Sequence, residues 1–196
     1  AGDPENGHEL TWHNAGANKH TSDQIVAMYI VAPSEEGGLT GFTDAQTAFS
    51  DLPEDKQELL EMYTIEHPIW DMMTVKNMKE QSAFLDADGG RSHERQMQFR
   101  PLVTEHPVNG KSGFQCVMTL IYKIVELNSV EKSKEFIAWL EEYLLQDKYV
   151  YWHDWDIYDI AISDQIHSLH KRTSYKGYRE LFRTAINYDD GKDFWY

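Results

Sequence analysis

Two residue types with metal or anion chemistry, histidine and arginine, stand at three separated points of the chain. His13 lies in "ELTWHNAG", followed by Asn14 and Ala15; His170 lies in "SDQIHSLHKR"; Arg179 and Arg183 lie in "YRELFRTAI". A neutral imidazole is the commonest nitrogen ligand for a transition metal. An arginine fork suits a carboxylate bidentately, and within a strand-like run such as "ELFRTAINY" its charge is costly to bury unless it meets an anion. Two nitrogen ligands and one carboxylate clamp are therefore within reach, provided the fold brings His13 to His170. Ala15 offers no donor atom.

The other histidines receive plainer readings. His8, His20 and His93 sit in polar stretches, and His67 and His106 precede prolines, which favours extended turn geometry and a structural role. His153, between aromatics in "YWHDW", reads as a packed ring. His167, three residues before His170, is a further candidate ligand. Cys116 lies in the apolar run "FQCVMTLIYKIV"; as the sole cysteine it excludes a disulfide within the chain and a cysteine-rich zinc site, and it reads as a buried thiol.

The elements that must position these residues follow from pattern. "QIVAMYIVAP" (Gln24–Pro33) reads as a buried strand, followed by the glycine turn "SEEGGLTGF". "TDAQTAFSDLPEDKQELLEMY" reads as helical in two pieces. Thr43 is the expected cap of the first; Pro53 suits the first turn of the second, with Glu54 and Asp55 at its positive end. Residues 67–100 read as irregular, a surface loop or active-site lid. "SGFQCVMTLIYKIVEL" reads as strand. Ser129 is expected to cap the helix "VEKSKEFIAWLEEYLLQ", whose Phe136, Ile137, Leu140 and Leu144 share one face. "KYVYWHDW", "DIYDIAISD" and "ELFRTAINY" read as strands. Strands at both ends with helices inserted predict an α+β fold, a β-sandwich or jelly roll, in a single domain over residues 1–196.

Composition limits the partners. The chain has 196 residues, 41% hydrophobic, and its formal charge of 18 − 33 = −15 repels nucleic acid and anionic membranes. It holds no Asn-x-Ser/Thr sequon and no run of about 18 apolar residues. The expectation is a cytoplasmic protein acting on a small molecule, with no nucleic-acid or membrane partner.

From about residue 8 to about residue 188 the chain resembles the taurine dioxygenase family of iron(II)/2-oxoglutarate oxygenases. "ELTWHNAG" is similar to the family's Trp-His-x-Asp-Gly segment, and "EEGGLTGFTDAQTAFSDLP" to its Gly-Gly-x-Thr stretch and following helix. "RPLVTEHPVNGKSGF" resembles its His-Pro-x-x-Gly-(Arg/Lys) stretch, "WDIYDIAISDQIHSLHKR" the segment ending in Asp-Asn-x-x-x-x-His, and "YRELFRTAI" the closing Arg-x-x-x-Arg segment. Each is weak alone; five in order are specific. The resemblance implies a double-stranded β-helix, a form of jelly roll, with Fe(II), 2-oxoglutarate and dioxygen as cofactors. It implies His13 and His170 as iron ligands and Thr40 with Arg183 on the distal carboxylate of 2-oxoglutarate, Arg179 nearby. Asp164 and Gln165 would support the turn leading to His170. The family's N-terminal part has no counterpart before the abrupt opening "AGDPENGHEL".

Ala15 departs from the pattern, because the family places a carboxylate there to complete a two-histidine, one-carboxylate triad. Three readings follow. In iron/2-oxoglutarate halogenases Ala or Gly holds this position and a halide fills the site, so chloride joins the expected cofactors. A hydroxylase could draw its third ligand from elsewhere. A chain impaired in catalysis would keep the pocket as a binding module.

Overall fold

A computed structural model describes residues 6–14, 24–68, 97–116 and 118–186. In chain order these form β1 (Asn6–Gly7), β2 (Leu10–His13), β3 (Ile25–Ala32), β4 (Glu36–Gly37), β5 (Thr40–Asp44), α1 (Ala45–Ser50), α2 (Glu54–Glu61), β6 (Thr64–Pro68), β7 (Met97–Pro101), β8 (Val103–Glu105), β9 (Ser112–Phe114), β10 (Lys123–Ile124), α3 (Val130–Leu144), β11 (Val150–His153), β12 (Ile160–Asp164), β13 (Ser168–Arg172), β14 (Tyr175–Lys176) and β15 (Glu180–Ile186). Every pairing among them is antiparallel.

Two sheets matter for the site. One runs β11-β5-β13-β2 and the other β12-β3-β15. Partners directly across an antiparallel ladder share a face, and faces alternate along each strand. In the first sheet one face therefore carries Trp12, Thr43, Val150 and Leu169. It packs against α1 and α3 in the main core with Ala48, Phe49, Leu140 and Leu144. The opposite face carries Tyr151, Phe42, His170 and His13 in a single cross-strand row. It turns toward the second sheet, where Phe42 joins Val26, Met28, Ile30 and Trp155 in a smaller cluster. The arrangement, antiparallel sheets with few helices, is consistent with a jelly roll.

The patterned elements form with shifted details. The first strand is Ile25–Ala32, and Ser129 caps α3 by accepting from the Lys132 amide at 3.3 Å. The first helical piece is capped by Asp44, whose Oδ1 accepts from the Thr47 amide at 2.8 Å, not by Thr43. Thr43 ends up inside the sheet, where its hydroxyl donates to the Leu144 carbonyl at 2.8 Å and ties the strand to α3. "SGFQCVMTLIYKIVEL" is not one strand: it breaks into β9, a 3-10 turn at Met118–Leu120, β10 and a second turn at Val125–Leu127. Its side chains enter the main core from several directions, so no single ladder claims it. Within the segment read as irregular, Met97–Pro101 pairs with Thr64–Pro68; residues 69–96, most of the expected lid, lie outside the described residues.

Candidate active site

β2 and β13 pair so that His13 stands directly across from His170, their ring centroids 4.2 Å apart. Sequence separation hides this contact; the ladder makes it. The Nδ1 of His13 donates to the Thr11 carbonyl at 2.6 Å, because a carbonyl can only accept. That bond places the proton on Nδ1 and leaves the Nε2 lone pair free to bind a metal. In His170, Nδ1 is buried with no hydrogen-bond partner. Burial, with the neighbouring His13 and the Arg183 guanidinium, pushes His170 down to about 3. Burial likewise holds His13 below the ordinary imidazole range, against the Thr11 bond, and Arg183 adds to the lowering. Both rings are thus neutral at pH 7, the form that ligates.

Arg183 is brought in from the second sheet. It pairs directly with Met28 of β3, on the face that meets the first sheet. It is more open to solvent than a buried clamp would be, which corrects the premise that its run must bury the charge.

Two residues along the strands from the histidine row, about 7 Å away, Thr40 stands across from Arg172. Trp155 Nε1 donates to the Thr40 hydroxyl at 2.8 Å. Arg179 lies 6.0 Å from the Trp155 ring centre and 5.7 Å from that of Tyr175, with its Nε buried and without a partner. Arg172 lies 4.9 Å from the Tyr175 ring and also has an orphaned Nε. Burial lowers the pKa of both guanidiniums, and each lies close enough to the other for Arg172 to lower Arg179 further. Two partly buried arginines with unused donors describe a place for an anion. Gly37 and Gly38, at φ +71° and +76°, make the turn that presents Thr40; a Cβ on Gly37 would lie 2.3 Å from the Ser174 carbonyl oxygen.

The structure therefore brings His13, His170 and Arg183 into one neighbourhood, and Thr40 and Arg179 into an adjoining one. Ala15 lies outside the described residues. Among the described residues no group of three His, Cys, Asp or Glu side chains converges as a metal site would require, so the two histidines are the protein donors visible there. Arg172 was missed from sequence, although its place two residues after His170 puts both on one face of a strand. A groove of about 670 Å³ opens on the other flank of the histidine row, lined by Phe42, Asp44, Tyr151, His106, Asp164 and His167 among others. None of the residues assigned to iron or 2-oxoglutarate lines it; Phe42 and Tyr151 join it to the row containing His170.

His167 is buried. Its Nε2 lies 3.1 Å from the Thr104 hydroxyl and its Nδ1 3.1 Å from Gln46 Nε2, so it faces away from His13 as a support. Burial, with the neighbouring His106, pushes it down to about 4. His153 stacks edge-on with Trp155 at 4.4 Å, a packed ring as its aromatic neighbours suggest. Cys116 is buried and pushed up to about 12, an inert thiol.

The sequence profile of the taurine catabolism dioxygenase TauD, TfdA family matches residues 1–185. The chain belongs to that family. It is 28% identical over 143 residues to the (S)-phenoxypropionate/alpha-ketoglutarate-dioxygenase of Sphingobium herbicidovorans, covering 73% of this chain and 49% of that one. It is 26% identical over 201 residues to pentalenolactone F synthase of Streptomyces avermitilis, covering 95% and 64%. The chain thus spans between about half and two thirds of these curated relatives. Its fold is like that of AAD-2, solved in complex with Mn(II) and N-oxalylglycine, with a TM-score of 0.74 at 20% identity over 90% of this chain and 68% of that one. Among the described residues no helix is long and apolar enough to cross a membrane.

Proposed function

We propose that the chain carries the catalytic centre of an iron(II)/2-oxoglutarate-dependent oxidoreductase acting on a C–H bond of a small polar molecule, within a double-stranded β-helix. The observation that carries this reading is the His13–His170 pair: two half-buried, neutral imidazoles opposed across one ladder with their rings tilted, one with its proton fixed away from the site and one with an orphaned ring nitrogen. That donor set fits Fe(II).

His13 and His170 would hold the metal. Bound there, iron supplies the activation of dioxygen, coupled to oxidative decarboxylation of 2-oxoglutarate to succinate and carbon dioxide. With Thr40, Arg179 rather than the expected Arg183 would hold the distal carboxylate of 2-oxoglutarate about 7 Å along the strands, where hydroxyl and guanidinium donors meet. Arg183, whose charge reaches both histidines, sits at the metal end of the same cradle and steadies negative charge there. Val26, Met28 and Ile30 of β3, with Trp155, form the apolar cluster beside the cradle.

Ala15 gives the finer reading. The resemblance places Ala15 where the family has a carboxylate, so a metal held by His13 and His170 would have room for an exogenous anion, and chloride would suit it in charge. The product would then be halogenated. Hydroxylation with another third ligand is the alternative, and a binding module without turnover the third. The test is product mass in the presence and absence of chloride, for the unmodified chain and for Ala15→Asp, with succinate release scored against candidate small acids. Halogenated product that disappears in Ala15→Asp supports the reading. A hydroxylated product independent of halide overturns halogenation, and absence of succinate from both proteins overturns the enzyme.

A further inference from the structure

We propose that His106 is a positioning residue for the metal ligand His170, acting through Asp164. The inference rests on the metal-site reading above and goes beyond it, since neither residue touches the metal position.

The chain of contacts is short and directional. His106 opens the turn between β8 and β9, held by its amide donating to the Lys111 carbonyl at 2.9 Å and its carbonyl accepting from the Gly110 amide at 2.9 Å. Its Nδ1 accepts from the Val108 amide at 3.2 Å. A backbone N–H can only donate, so Nδ1 bears the lone pair and Nε2 the proton. That proton is aimed at Asp164 Oδ2, 2.6 Å away. The other oxygen, Oδ1, accepts from the amides of Ile166 at 2.7 Å and His167 at 3.0 Å. Asp164 ends β12, and the turn it closes leads directly into β13, which carries His170. The same turn reaches the other ligand strand: Gln165 is fully buried, its amide donates to the Gln24 carbonyl at 2.8 Å, and its carbonyl accepts from Asn14, the residue after His13, at 3.3 Å.

The carboxylate thus fixes where β13 begins, and His106 fixes the carboxylate. Without the ring donor, Oδ2 loses the hydrogen bond from His106 and can rotate away from the two amides. The start of β13 would then shift against β2, and the opposed histidines with it. Outer supports of this kind typically change metal affinity by about 10- to 100-fold when removed.

The experiment titrates Co(II) alone, as probe, into the full chain with 2-oxoglutarate present, by calorimetry, with thermal melting as the measure of folding. His106→Leu is expected to weaken Co(II) binding about 10- to 100-fold and His106→Gln, whose amide N–H can reach Asp164, to restore most of it. Thr104→Val, which removes a half-buried hydroxyl bonded to Gln115 and His167 from the same hairpin, is expected to lower the melting temperature and leave Co(II) affinity unchanged. Should His106→Leu fail to fold, His106→Asn, too short to reach the carboxylate, takes its place with the same expectation. Equal Co(II) affinity in the folded His106 variants overturns the proposal. So does equal weakening by Thr104→Val, which would make the effect one of hairpin stability. If the unmodified chain binds no Co(II), the metal-site reading itself has failed and the inference falls with it.

Discussion

His167 makes the stability of this protein depend on pH in a way that can be calculated. Its ring is buried between Thr104, Gln46 and His106 and is held at about 4 in the folded chain; in the unfolded chain it returns to about 6.5. The unfolded state therefore binds more protons between these values, and stability falls as pH is lowered through that window. At pH 5 the unfolded imidazole is almost fully protonated and the folded one about one tenth protonated. Integration from pH 7 to pH 5 gives a loss of about 2 kcal/mol from this residue alone. The perturbation is His167→Gln, which keeps amide partners for Thr104 and Gln46 but cannot titrate. Urea denaturation of the metal-free protein at pH 7 and pH 5 gives the loss for each form. The variant should lose about 2 kcal/mol less than the unmodified chain. Since His13 and His170 titrate in both proteins, their contributions cancel in the difference. Equal losses would refute the burial argument for His167.

Other outcomes follow from the same structure. Arg183→Leu and Arg179→Leu should each weaken 2-oxoglutarate binding, by about 10- to 150-fold where a charge-assisted contact of about 1.5–3 kcal/mol is lost, as read by calorimetric titration; unchanged affinity in either folded variant removes that residue from the cradle. Cys116, buried and held up to about 12, should resist alkylation in the native chain and react only as urea unfolds it. Leu140→Ala, at a fully buried position between α3 and the main core, should cost about 2–5 kcal/mol in urea denaturation. Swapping residues 70–100 for the corresponding segment of a relative should change substrate selectivity in a succinate-release screen; unchanged selectivity ends the lid assignment.

The sequence was most legible where a local rule acts alone. Ser129 and the face of Phe136, Ile137, Leu140 and Leu144 define α3 almost to the residue, because capping and periodicity are properties of one segment. Gln24–Pro33 reads as a strand because its β-branched run is closed by proline. The run through Cys116 misleads, since an apolar stretch buried on all sides carries no period to tell a strand from a chain that turns. Asp44 displaces Thr43 as a cap because Thr43 is claimed by the sheet and by Leu144. In the site, residue types were readable but their meeting was not. The opposition of His13 and His170 is a matter of strand register, which the family motifs suggested and spacing could not. Arg172 and the His106–Asp164 bond were hidden for the same reason: each depends on which strands are neighbours.

The most direct test of the account is a Co(II) titration, with 2-oxoglutarate present, of the unmodified chain against His13→Ala and His170→Ala. One Co(II) per chain is expected in the unmodified protein. In each folded variant the expected loss of affinity exceeds the roughly 10- to 100-fold that removal of an outer support produces. Retention of full Co(II) affinity by either folded variant would contradict the assignment of the histidine pair as the metal site.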